Sequence, residues 1–488
     1  MIYVIKGTTG DDSLLGTDLT EDLIDGGDGN DFLIGFGGDD WLVGGAGSDI
    51  LFGLGDDDYL HGGSGDDLLD GGAQNDTLVG GEGADVLFGG DGDDTASYAD
   101  SNAAVEVQLL SGLGWGGTAD GDMLIGIENL LGSAYGDTLG GDDKGNFLAG
   151  ELGDDTLEGF DGADVLNGGA GEDKLWGGYG DDVLIGGSGA DALHGEDGTD
   201  IADYSDSTGS INVSLLSGTG KGGTAEGDTF DSVEWVIGSS YGDVIEGDNG
   251  DNALFGMVGN DVLLGSGGAD YLNGGLDNDT VSYAGSDAGV LVMLPSGKAY
   301  GGHAEGDSFE SIENVTGSQY EDTLFGDDAR NVLDGMSGDD TLYGGGGEDV
   351  LYGGDGDDEL HGGDKADLLV GGLGLDTMRG DDGADIFAFS SEKECGVTMA
   401  CDVLPDFEES AGDRIDLSRI DADSTTSRSH EAFTFIGNNV AFTGAAQVRY
   451  NTDSGYIEGN TDADLDPEFY LAINTGLNPQ MHDYGFLF

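Results

Sequence analysis

The sequence predicts an all-β protein, a parallel β-roll (a β-solenoid) in which short strands stack coil upon coil. Three observations predict it. A nine-residue phrase, Gly-Gly-x-Gly-x-Asp-x-Leu-x, restarts through most of the chain, as at Gly26, Gly35, Gly44, Gly53, Gly62, Gly71, Gly80 and Gly89. Its aliphatic residue keeps one phase: Leu33, Leu42, Leu51, Leu60, Leu69, Leu78 and Leu87, with Ala96 closing the run. Composition agrees, since the 488 residues hold 100 glycines and only 4 prolines, and 101 acids against 13 lysines and arginines give a formal charge of -88.

Each part of the phrase has its own physical role. Residues seven to nine, Phe32-Leu33-Ile34 for example, read as a short strand whose middle side chain points inward and whose neighbours point outward. Residues one to six read as a turn, whose glycines permit positive φ and let carbonyl groups crowd where a Cβ would obstruct them. The aspartate at position six ends the turn with a hard anionic oxygen, the donor that Ca²⁺ prefers. Three strand residues span only about 10 Å, so one phrase makes half a coil. Successive phrases should then alternate between two stacked parallel sheets. Each ion is expected between the turns of phrases i and i+2, with on the order of twenty or more ions in all.

The expected calcium ligands are therefore the position-six aspartates. In the first array they are Asp31, Asp40, Asp49, Asp58, Asp67, Asp76, Asp85 and Asp94. In the second they are Asp155, Asp164, Asp173, Asp182, Asp191 and Asp200, and in the third Asp261, Asp270 and Asp279. The fourth supplies Asp340, Asp349, Asp358, Asp367, Asp376 and Asp385. Asn146, Asn252 and Asn331 hold position six near the start of later arrays, where a neutral side chain is expected to weaken the site. One buried leucine contributes roughly 2–3 kcal/mol, against about 1–2 kcal/mol of backbone entropy for each ordered residue. Burial alone loses that comparison. Metal is therefore expected to contribute to folding, and the metal-free chain is expected to be disordered.

Four arrays are expected, at 1–97, 132–203, 238–282 and 317–388, and a β-rich C-terminal region at 389–488. Three segments of equal length separate them: 98–131, 204–237 and 283–316. Each begins with a tyrosine (Tyr98, Tyr204, Tyr283), holds an alternating strand such as Val105-Glu-Val107-Gln-Leu109, and ends with Gly-Gly-x-Ala-x-Gly-Asp and a short Ile/Val-Glu stretch. Three copies in one setting argue for architecture, capping one roll and opening the next. Trp115 and Tyr300 leave a surface-binding reading beside it.

The charge excludes binding to nucleic acid through phosphates, for want of a basic surface. No apolar run of about 18 residues is present, so no membrane span is expected. Met1 to Lys6 is too short for a Sec signal peptide. Cys395 and Cys401 share one loop, and the sequence leaves open whether they pair. No Gly-x-Ser-x-Gly elbow or phosphate loop is found, and His61, His194 and His361, at position nine, read as exposed strand ends. No enzyme activity is expected.

Over about three-quarters of its length the chain resembles the RTX family of secreted proteins. Gly383-Ala-Asp-Ile-Phe-Ala-Phe389, Asp402-Val-Leu-Pro-Asp-Phe407 and Gly412-Asp-Arg-Ile-Asp-Leu-Ser418 resemble the C-terminal region of serralysin-type metalloproteases. The ending, Asp483-Tyr-Gly-Phe-Leu-Phe488, is similar to uncleaved signals read by type I secretion machinery, and it reads equally as a strand finishing the last sheet. The resemblance implies an extracellular protein, exported without an N-terminal signal peptide, that folds on binding Ca²⁺ and acts in a matrix or at a cell surface. The zinc-binding His-Glu-x-x-His of serralysins has no match, since its nearest approach, His430-Glu431-Ala-Phe-Thr434, lacks the second histidine. The alternative reading is a degenerate serralysin-like protein, or an enzyme whose activity lies outside the repeats.

Overall fold

Short strands recur where the phrase places them, and each pairs in parallel with the strand one full coil away. The computed structural model describes residues 3–17, 20–391, 393–395, 401–420, 432–462, 466–473 and 481–488. His430 and Glu431 lie outside these. The chain divides into two units, Met1–Tyr241 and Gly242–Phe488.

In the first unit, strand Trp41–Ala46 pairs with Tyr59–Ser64, aligning Leu42 with Leu60 and Gly45 with Gly63. The intervening strand Ile50–Phe52 belongs to the opposite sheet, where it pairs with Phe32–Ile34 and Leu68–Ala73. Consecutive phrases thus alternate between two parallel sheets, and the chain is a β-solenoid. The second unit is built alike: Thr341–Gly345 pairs with Glu359–Asp364, and Val350–Asp355 with Leu368–Leu373. The core is a file of position-eight side chains, with Leu33, Leu42, Leu51 and Leu60 wholly buried and Met378 and Phe387 taking the place late in the second unit. Each such leucine removes enough apolar surface to contribute roughly 2–3 kcal/mol.

Many strands are longer than the three residues expected. Trp41–Ala46 runs on through Gly44 and Gly45, because the coils stack closely enough for the turn backbone to join the ladder. Gly45 makes that approach possible. Its φ is 114°, and a Cβ there would fall 2.0 Å from the Gly27 carbonyl oxygen of the coil below.

The expectation that the long segments cap one roll and open another is corrected. In one sheet, Thr95–Ser97 pairs directly with Asn129–Leu131, and that strand with Phe147–Ala149, so pairing continues through the first segment. In the other sheet the segment splices in a hairpin. Val86–Asp91 pairs with Met123–Ile125, which meets Leu113–Trp115 antiparallel; that strand pairs antiparallel with Glu106–Gln108, which pairs in parallel with Thr138–Gly140. The third segment repeats the arrangement with Leu291–Met293 and Lys298–Tyr300. Trp115 and Tyr300 lie at the exposed ends of these hairpin strands.

The C-terminal residues extend the second unit. Ile386–Ala388 pairs with Arg414–Asp416, which pairs with Phe486–Leu487, so the chain's ending forms a strand of the sheet. Gln447–Asn451, Tyr456–Asn460 and Phe469–Ile473 form an antiparallel set, joined to the roll through Val403–Leu404. Cys395 and Cys401 are both buried, and burial pushes the Cys401 thiol up to about 11.

The histidine expectation is also corrected. Strand stacking half-buries all three side chains and gives each an acid: Asp100 for His61, Asp231 for His194, and Glu359 with Asp381 for His361. His194 also stacks on Trp176, and His361 on Tyr343.

Candidate metal centre: two ladders of buried carboxylates

The turn that closes each half-coil puts its aspartate inside the protein. Every aspartate expected as a ligand is at most 3 % exposed. One carboxylate oxygen is held by the backbone. Asp49 Oδ1 accepts the N–H of Asp31 at 2.7 Å, Asp67 Oδ1 that of Asp49 at 2.7 Å, and Asp85 Oδ1 that of Asp67 at 2.8 Å. The same link joins Asp155, Asp173 and Asp191 in the second array and Asp340, Asp358 and Asp376 in the fourth. Because the phrases alternate between sheets, the aspartates of each unit form two ladders, with a rung every eighteen residues along each within an array.

The other oxygen has no partner. At every aspartate expected as a ligand, Oδ2 is buried and makes no hydrogen bond. A buried ionised oxygen left alone is strongly unfavourable. Burial drives carboxyls up along the ladders, with neighbouring rungs adding to the effect and the backbone N–H opposing it: Asp58 and Asp270 to about 8, Asp76 and Asp376 to about 7. Beside each Oδ2 the first glycine of the phrase leaves a space. A Cβ on Gly44 would fall 2.4 Å from Asp49 Oδ2 and 2.6 Å from the Gly62 carbonyl oxygen. A Cβ on Gly62 would fall 2.4 Å from Asp67 Oδ2 and 2.6 Å from the Gly80 carbonyl oxygen. Carboxylate and carbonyl from successive coils therefore converge on a cradle that only glycine leaves open.

Among the described residues no three His, Cys, Asp or Glu side chains gather into a single cluster. The donor set is one carboxylate per turn with main-chain carbonyls. All are hard oxygens, which suit Ca²⁺ rather than a thiolate- or imidazole-seeking metal.

The ladders also contain acids that the nine-residue count passes over. Asp122, Asp228 and Asp307 accept the N–H of Asp85, Asp191 and Asp270 from thirty-seven residues away. Glu128, Glu234 and Glu313 do the same for Asp94, Asp200 and Asp279 from thirty-four away. Asp402 and Asp413 carry the ladders past the fourth array, accepting from Asp376 and Asp385. For the six acids of the long segments the sequence signal is the Gly-Asp that ends each Gly-Gly-x-Ala-x-Gly-Asp and the Glu of each Ile/Val-Glu pair. It falls out of phase with the repeat.

A family model of the RTX calcium-binding nonapeptide repeat matches residues 20–97, 140–202, 228–281 and 316–387, in overlapping stretches that together exceed half the chain. The fold is a calcium-binding β-roll, and this chain belongs to the RTX repeat family. Multiple calcium ions are its cofactor. No curated protein matches it. No helix among the described residues is long and apolar enough to cross a membrane.

Proposed function

We propose that the position-six aspartates are the calcium ligands, and that the protein is a secreted structural or interaction protein whose folding is switched on by calcium. The observation that carries this reading is the unpartnered Oδ2 repeated at every aspartate expected as a ligand, a row of buried negative charge that a divalent cation would neutralise. The bound ion supplies charge neutralisation and cross-links between coils. The chain's own part is to align the carboxylates, hold each through a backbone N–H, and keep the glycine cradles clear.

In the cytosol, where calcium is scarce, self-repulsion from a formal charge of -88 keeps the chain open and exportable. Extracellular calcium modules bind at about 10⁻⁴–10⁻³ M, so folding follows export and is driven by mass action. The serralysin-like C-terminal region, 389–488, is assigned to type I export, and the arrays at 1–97, 132–203, 238–282 and 317–388 to calcium. The finished roll is assigned a role in an extracellular matrix or at a cell surface rather than in catalysis.

Far-UV circular dichroism during a Ca²⁺ titration, with Mg²⁺ as control, tests the switch. The expected result is a disordered spectrum turning cooperatively to β near millimolar Ca²⁺. A β spectrum indifferent to chelator would remove the basis for the proposal. For export, a chain truncated after residue 480 should stay in the producing cell while the full chain is released. Equal release of both would reject the C-terminal assignment.

A further inference from the structure

The rungs in and beside the long segments differ from the array rungs in one respect: their acids are already satisfied. Asp122 Oδ2 accepts a hydrogen bond from the Tyr98 hydroxyl at 3.2 Å, Asp228 Oδ2 from Tyr204 at 2.7 Å, and Asp307 Oδ2 from Tyr283 at 2.8 Å. The three tyrosines are almost wholly buried, at 1–2 % exposed. The turn before each of these acids is a single 3₁₀ turn rather than the open glycine turn of the arrays. Its carbonyls are occupied as well. Gly116 O accepts the Ala119 N–H at 2.9 Å, and Ala119 O accepts the Asp122 N–H at 3.2 Å.

The next rung on that edge is closed by another means. Val105 stands where an acid would, donating its N–H to Asp137 Oδ1 at 2.8 Å, while the Ser133 hydroxyl also donates to Oδ1 at 2.9 Å and the Ser133 N–H to Oδ2 at 2.5 Å. Val290, Ser318 and Asp322 repeat this where the third segment meets the fourth array. Ser133 and Ser318 stand where an array phrase has its second glycine.

The opposite edge is closed by asparagine. Asn146 Oδ1 accepts the Asp142 N–H at 2.7 Å, and its Nδ2 donates to the Glu128 carbonyl oxygen at 2.8 Å. Asn331 does likewise with Asp327 and the Glu313 carbonyl. Yet the space beside these asparagines is an array cradle. A Cβ on Gly141 would fall 2.2 Å from Asn146 Oδ1 and 2.6 Å from the Gly159 carbonyl oxygen. Only the amide group differs: its oxygen faces the cradle without a charge and already accepts the Asp142 N–H, and its nitrogen is held by the Glu128 carbonyl.

We infer that the long segments are built-in calcium-free joints, in which tyrosine hydroxyls, serines and asparagine amides take the part that calcium plays in the arrays. This rests on the array aspartates being calcium ligands. The asparagines do more than weaken an end site: they close it. The ion row is thereby broken at set places, and each array loads calcium as its own block.

The test is an anomalous difference map, recorded at long wavelength, from crystals of the full chain grown in excess Ca²⁺. Peaks are expected beside the array Oδ2 atoms, and none beside Asp122, Asp228, Asp307, Asp137, Asp322, Asn146 or Asn331. A peak at a tyrosine rung, with its hydroxyl displaced, would overturn the inference while leaving the array ligands intact. No peaks in the arrays would overturn both. The double variant Asn146→Asp, Asn331→Asp is expected to gain one ion at each restored rung. If the variant crystallises with peaks in the arrays but none at those two positions, the asparagines are not what closes them.

Discussion

Removing calcium at neutral pH should unfold the roll, and acid should partly restore it. Chelation leaves the ladder carboxylates ionised and unpaired. Asp76 shows the size of the effect: burial and its neighbours raise it from 3.8 to about 7. Each tenfold change in proton affinity corresponds to about 1.4 kcal/mol, so this rise amounts to on the order of 4 kcal/mol against folding when the group is charged and no cation is near. A few such rungs exceed the roughly 5–15 kcal/mol that holds an ordinary domain together. The sign follows from linkage. A carboxyl whose folded value lies above its unfolded value binds its proton more tightly when folded. Its contribution to the metal-free roll is therefore full below the unfolded value of 3.8 and is lost as pH rises through about 6 to 8. Calcium works in the opposite direction, because the ion needs the deprotonated form. In excess chelator, circular dichroism should show disorder at about pH 7.5 and regained β signal near pH 5. In calcium, the midpoint of the titration should move to higher concentration as pH falls from about 8 to 6. A metal-free roll that is most stable at alkaline pH would refute the reasoning.

Three further outcomes are expected. Leu60→Ala opens the middle of the position-eight file and should cost about 2–5 kcal/mol, read as a higher calcium midpoint and a lower melting temperature. Gly47→Ala puts a Cβ 1.8 Å from the Gly29 carbonyl oxygen at a φ of 133° and should prevent the first array from closing, whereas Gly10→Ala, with nothing within 4 Å, should fold like the parent; equal effects would mean the coils are not stacked this closely. Cys401, buried and pushed up to about 11, should resist a thiol reagent in calcium and react readily in chelator.

The local motif was sufficient for much of this molecule. A nine-residue phase with glycines at one, two and four dictates the turn. Alternation over positions seven to nine dictates which side chain is buried, so Leu42 and Leu60 could be placed in the core and Asp49 and Asp67 at the end of the turn from spacing alone. The family model's matches and the alternating sheets agree with that reading. What spacing could not supply is the identity of each group's partner one coil away.

Asp49 and Asp122 both follow a glycine-rich turn, yet only tertiary structure leaves one oxygen of Asp49 bare and gives that of Asp122 to Tyr98, twenty-four residues earlier. Glu128 enters the ladder only because the first segment returns the chain to the sheet in register with Thr95–Ser97. His61 likewise meets an acid, Asp100, that the nine-residue count does not place beside it. A repeat encodes conformation and facing, which are local. Hydrogen-bond satisfaction across coils depends on where an irregular insert brings the chain back, and that was settled only when the coils stacked.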